Sequence, residues 1–94
     1  MISATTRPRL AAKARLRWDR KGERYMLLYP ERGLVLNPTA ADVVRLCTGE
    51  HTVEVIVERL AAKYTSQPRE ALGQEILTFL GRLAERGLVS DGGA

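Results

Sequence analysis

Histidine and cysteine are almost missing from this chain: His51 and Cys47 are the only ones among 94 residues. Neither has partners at ligand spacing, and a metal centre of the usual kinds needs several such side chains together. A lone thiol forms no internal disulfide, which fits a reducing compartment. No apolar run approaches the length of a membrane span, and the opening MISATTRPRL has no signal-peptide core, so a cytoplasmic protein is expected. The glycines fall singly at turns and helix ends, which leaves no phosphate-cradling loop. The acids Asp42, Glu54 and Glu58 are read on outward helix faces, in solvent. His51 reads as a solvated turn residue and Cys47 as a buried, inert thiol on an inward stripe. These absences leave no visible place for catalysis, so no enzyme and no cofactor are expected.

What is present describes one soluble domain, with 45% apolar and 28% charged residues. The net charge of +4 is unevenly spread. Residues 1–32 carry nine Lys or Arg against three acids, giving +6, while residues 33–94 carry six against eight, giving −2. The basic half holds Arg15, Arg17, Arg20, Lys21 and Arg24, which read as a solvated strand face or as a patch for an acidic partner.

Local patterns set the expected elements. Residues 1–6 read as a loose arm, 7–89 as one domain and 90–94 as a loose tail. Arg7-Pro8 favours an extended entry. Ala14, Leu16 and Trp18 alternate with Arg15 and Arg17, the period of a strand with one apolar face. A turn at Asp19 to Glu23, a second strand over residues 24–29, a break at Pro30 and a short third strand at Leu34, Val35 and Leu36 suggest an antiparallel meander. Asn37-Pro38 starts a first helix, with Asn37 as cap, an inward face of Ala40, Val43, Val44 and Cys47, and a stop at Gly49. Thr52 caps a second helix whose Val53, Ile56, Val57, Leu60, Ala61 and Tyr64 form one stripe. Pro68 opens a third, and Leu88 and Val89 are expected to pack back on the core. The expectation is an α+β, winged-helix-like domain: a three-stranded antiparallel sheet followed by three helices.

The third helix is unusual. Its apolar residues Leu72, Ile76, Leu77, Phe79, Leu80, Leu83 and Ala84 form a band wider than one seam needs, interrupted by Gly73 and Gly81. The width suits a central core helix, or a helix with one flank left as a groove.

Four ordered segments carry a family resemblance: Arg7-Pro8-Arg9-Leu10, Leu27-Leu28-Tyr29-Pro30-Glu31, Leu36-Asn37-x-Thr39-Ala40 and Gly49-x-x-Thr52-Val53-x-x-Ile56. Over about residues 7–89 the chain resembles the pyrroloquinoline quinone biosynthesis protein D (PqqD) family of peptide chaperones. The resemblance implies a non-catalytic protein that binds the ribosomally made precursor peptide PqqA and presents it to the radical S-adenosylmethionine enzyme PqqE. It also implies uptake of the peptide as an added strand beside the third strand and against the third helix. The corresponding peptide-binding residues are Gly33, Leu34, Val35, Leu36, Leu72, Ile76, Phe79, Leu80 and Leu83. An open edge also permits a homodimer that competes with peptide. Two alternatives stand beside this reading: an adaptor of the same family serving another precursor peptide, and a winged-helix DNA binder. The sequence pI of about 9.7 permits the second, but the third helix intersperses Arg69, Gln74, Arg82 and Arg86 with Glu70, Glu75 and Glu85. No nucleic acid and no membrane are therefore expected among its partners.

Overall fold

The computed structural model describes residues 2–92. The elements run β1 (Pro8–Leu10), β2 (Arg15–Asp19), β3 (Arg24–Tyr29), β4 (Arg32–Leu36), α1 (Pro38–Arg45), α2 (Val53–Lys63), α3 (Arg69–Glu85) and β5 (Val89–Asp91). Strands β2, β3 and β4 form the expected antiparallel meander, in that spatial order, and the three helices follow it.

The strand period sets which residues meet the helices. Leu16, Leu27 and Leu34 lie opposite one another across the three strands, and Leu27, at the centre, is fully buried. The alternate row, Arg17, Met26 and Val35, points to the other face. Trp18 was expected on the buried face but is 53% exposed. It stands opposite Tyr25 one pair from the β2–β3 turn, where the two rings meet edge to face at 4.8 Å. Arg45 of α1 lies over the Tyr25 ring, 4.8 Å from its centroid.

A second, two-stranded sheet was not foreseen. β1 pairs antiparallel with β5, Leu10 opposite Val89, and so joins the two ends of the domain. The Gly92 N–H donates to the Arg7 carbonyl at 2.7 Å, and Ala11 N–H to the Leu88 carbonyl at 2.8 Å. Local patterns give no sign of pairing between segments so far apart. The loose ends expected on either side are engaged where the structure describes them. Thr6 is buried, and the carbonyls of Thr6 and Ala4 accept the N–H groups of Val53 and Glu54 at 2.9 and 3.0 Å. Those amides open α2 and have no partner within the helix. At the other end Ser90 and Asp91 belong to β5, while Met1 and residues 93–94 lie outside the described residues.

The first two helix starts follow the expected capping chemistry. Asn37 Oδ1 accepts from Ala40 N–H at 2.8 Å, and Thr52 Oγ1 accepts from Val55 N–H at 3.2 Å. The stop of α1 differs from expectation: the helix ends at Arg45 with Leu46 as its C-cap, short of Gly49. Gly49 has another task. At φ +85° it turns the chain so that its N–H donates to Pro8 and Thr48 bridges Arg9. A Cβ there would lie 2.7 Å from Arg9 Nε.

The core collects Leu27 and Leu36 of the sheet with Val43, Val44, Val53, Ile56, Leu60, Leu72, Ile76, Leu80 and Leu83 of the helices, closed by Leu88 and Val89. Full burial of each Leu or Ile contributes about 1.5–3 kcal/mol. The width of the α3 band resolves into a centre and two flanks. Leu72, Ile76, Leu80 and Leu83 are buried at the centre, while Leu77, Ala84 and Phe79 are only half-buried. On the flank of Gly73, an added Cβ would sit 3.7 Å from Val57 of α2. The Phe79 flank faces away from α2, toward β4 and α1.

Candidate functional site

β4 is the outer strand of the meander on the side of α3, and among the described residues it pairs only with β3. Pro30 and Glu31 make a two-residue loop with Glu31 at φ +63°, so the closing pair Tyr29 and Arg32 bonds directly across the ladder. By alternation Leu34 and Leu36 also turn their backbone groups toward β3. Gly33 and Val35 turn theirs to the open side.

Beside this edge runs a trough made of three clefts that share walls. One, of about 210 Å³, lies between β4 and α3 and is lined by Leu34, Val35, Leu36, Phe79, Arg82 and Leu83, among others. It shares Asn37, Ala40, Phe79 and Arg82 with a cleft of about 400 Å³ between α1 and α3. At the other end it shares Leu34 and Arg86 with an open cleft at the β3–β4 loop, lined also by Tyr29, Arg32 and Gly33. Proline at the first turn of α1 and the Asn37 cap fix where α1 leaves β4, and so place Thr39, Ala40 and Val43 on the trough wall.

The nine residues expected here separate into three groups. Gly33, Leu34 and Val35 lie along the open edge, Val35 being 52% exposed, and Phe79 is half-buried against the trough. Leu36, Ile76 and Leu83 line clefts but are buried, so they form the floor. Leu72 and Leu80 are fully buried and line none of the three clefts; they are core beneath the trough. Sequence reasoning left out the polar wall: Asn37, Thr39, Gln74, Glu75, Thr78, Arg82 and Arg86. A signal for part of it existed, since Glu75, Phe79, Arg82 and Arg86 follow one another at helical spacing along one side of α3.

Two titratable groups outside the trough behave differently from one another. Asp42, expected in solvent, is half-buried and ties α1 to α2. Its carboxylate accepts from Lys63 Nζ at 2.8 Å, Tyr64 Oη at 2.5 Å and Arg45 at 2.8 Å. Partial burial pushes its pKa up, but the bonds from Lys63, Tyr64 and Arg45 together hold it below the ordinary value of 3.8. Burial pushes the Cys47 thiol up to about 12, and its Sγ donates to the Val43 carbonyl at 3.2 Å. That thiol is inert at neutral pH. Among the described residues, no group of three or more His, Cys, Asp or Glu is placed to hold a metal ion, and no helix is long and apolar enough to cross a membrane.

Fold and trough together define a small winged-helix-like α+β domain with one strand edge left open beside a helix-walled groove. The chain belongs to the PqqD family: the model of Coenzyme PQQ synthesis protein D matches residues 24–89. It is 37% identical over 90 residues to a PqqA binding protein of Bradyrhizobium diazoefficiens, covering 96% of this chain and 86% of the relative. It superposes with a TM-score of 0.81, at 31% identity, on the PqqD portion of Methylobacterium extorquens PqqCD, covering 96% of this chain and 95% of that one. That NMR structure is described as a functional, stand-alone recognition element for ribosomally synthesised and post-translationally modified peptides. The lasso peptide synthetase B1, solved with its leader peptide, shares the fold at a TM-score of 0.72 and 22% identity, covering 89% of this chain and 98% of that one.

Proposed function

We propose that this chain is a non-catalytic peptide chaperone of pyrroloquinoline quinone biosynthesis, which takes up the precursor peptide PqqA as an added strand on β4 and presents it to the radical S-adenosylmethionine enzyme PqqE. The observation that carries the reading is the open β4 edge, with Gly33 and Val35 turned outward, lying directly over a groove walled by Phe79. An extended peptide on that edge gains backbone bonds that ask little of its sequence, while its alternate side chains enter the groove. Kinship with PqqA binding proteins supports PqqA as that peptide. The charges of α3 do not favour DNA, since Glu70, Glu75 and Glu85 are exposed among its arginines.

Titration of synthetic PqqA into isotope-labelled protein tests the reading. Backbone amide shifts are expected to concentrate in residues 33–37 and 75–86. Saturation that leaves these amides unmoved would reject strand addition on β4. An edge-to-edge homodimer through the same strand predicts that peptide dissociates it, which sedimentation with and without PqqA measures. PqqE is expected to join the loaded complex in the same experiment and to leave residues 33–37 protected by peptide.

A further inference from the structure

The trough is chemically lopsided. At the β3–β4 loop its walls carry Arg32 and Arg86, and Arg82 follows one helical turn along α3. Glu75 is the acid on its lining, and it lies in the cleft at the α1 end. Among the described residues the ion pairs involve Arg24, Arg45, Lys63 and Arg69, so Arg32, Arg82 and Arg86 have no acid within pairing distance. Arg82 lies in the last turn of α3 and Arg86 is its C-cap, where the helix dipole favours both cations while their four-residue spacing sets them side by side. Gly33 and Arg86 line the same open cleft beside Arg32, at the loop end of the free edge.

We infer that the trough selects its peptide by charge: it takes a segment that is apolar where it lies over Phe79 and acidic where it reaches Arg32, Arg82 and Arg86. This rests on the strand-addition reading and adds the class of peptide admitted. Guanidinium groups bind carboxylates in two-point, charge-assisted bonds. β4 runs from Arg32 toward Leu36. A peptide antiparallel to it therefore brings its C-terminal residues to the arginines, and a parallel one its N-terminal residues. The side on which acids are needed reports the direction of the added strand.

The test uses four synthetic peptides with one extended apolar core, bearing glutamates or lysines at the N-terminal or the C-terminal side. Affinity is followed by calorimetry and by the Gly33 and Val35 amide shifts. One acidic peptide is expected to bind about tenfold tighter than its lysine counterpart, and the preference to disappear in the Arg82→Gln/Arg86→Gln double variant. Both arginines are exposed, so the double variant is expected to melt like the parent, which a thermal scan verifies. Equal binding of acidic and basic peptides with normal shifts at Gly33 and Val35, or a preference that survives the double variant, overturns charge selection and leaves strand addition standing. Absence of shifts with every peptide rejects the strand-addition reading itself.

Discussion

The two outer strands of the meander have the same length and opposite characters. β2 reads Arg15, Leu16, Arg17, Trp18, Asp19, with a charge at every second position; β4 reads Arg32, Gly33, Leu34, Val35, Leu36, charged only beside its loop. Charged residues on an outer strand discourage pairing with another chain, which is how sheets protect a free edge. Here one edge is protected and the other is not. The unprotected edge is the one with a groove beside it, so its openness reads as a binding feature and not as an unguarded flaw.

The contrast between a chain's core and its trough is testable at two adjacent residues of α3. Leu80 is fully buried and lines no cleft, while Phe79 is half-buried and lines two. Leu80→Asp buries an unpaired carboxylate and is expected to leave the protein unfolded at room temperature, a loss of at least about 4 kcal/mol. Phe79→Asp is expected to fold, with a modest fall in melting temperature, and to bind peptide at least about tenfold more weakly. Circular dichroism and calorimetry separate the outcomes. A folded Phe79→Asp variant with parental affinity would remove the groove from the site.

The backbone of β4 gives a second pair of neighbours with unlike roles. The Leu34 N–H points to β3, so Leu34→Pro breaks the ladder and is expected to cost about 3 kcal/mol. The Val35 N–H points to the open side, where proline is tolerated. Val35→Pro is therefore expected to keep most of the stability while lowering peptide affinity several-fold, through one lost backbone bond. Loss of affinity in Leu34→Pro alone, measured on the fraction still folded, would mean that the open side of β4 is not where peptide binds.

Much of this layout was legible in the sequence, and the limits are physical. Alternation at Leu16 and Trp18, the Asn37 and Thr52 caps, and the stripe from Val53 to Leu60 are local signals, and the elements they announce are present. The β1–β5 pairing joins Pro8 to Asp91 and has no local signal. Periodicity showed that the α3 band was too wide for one seam, yet only packing shows that Leu80 sits in the centre and Phe79 on the flank. Arg82 and Arg86 were weighed only as part of a DNA-reading helix, because their stripe with Phe79 becomes a wall only once β4 is placed against it. Asp42 was read as solvated for the same reason: Lys63 and Tyr64 are more than a helix away in sequence, and α1–α2 packing brings them together.

Asp42 extends the comparison to α1, whose two sides also differ. Ala40 and Val43 line the trough, while Asp42 anchors the helix to the end of α2. A carboxyl held below its ordinary pKa stabilises the fold fully above 3.8, and that contribution fades as pH falls through the lower, folded-state value. Its partners are half exposed, with side-chain exposures of 47% for Arg45 and 61% for Lys63, so solvent screening keeps the effect to about 1 kcal/mol. Asp42→Asn is accordingly expected to melt about 4–8 °C lower than the parent at pH 7. The gap should close in acid well below pH 3.8, where both chains carry a neutral side chain at this position. A gap that persists unchanged in acid would assign the loss to packing rather than to charge. If peptide affinity at pH 7 falls along with the melting temperature, the anchor also holds the trough wall in place; if only the melting temperature falls, the two sides of α1 act independently.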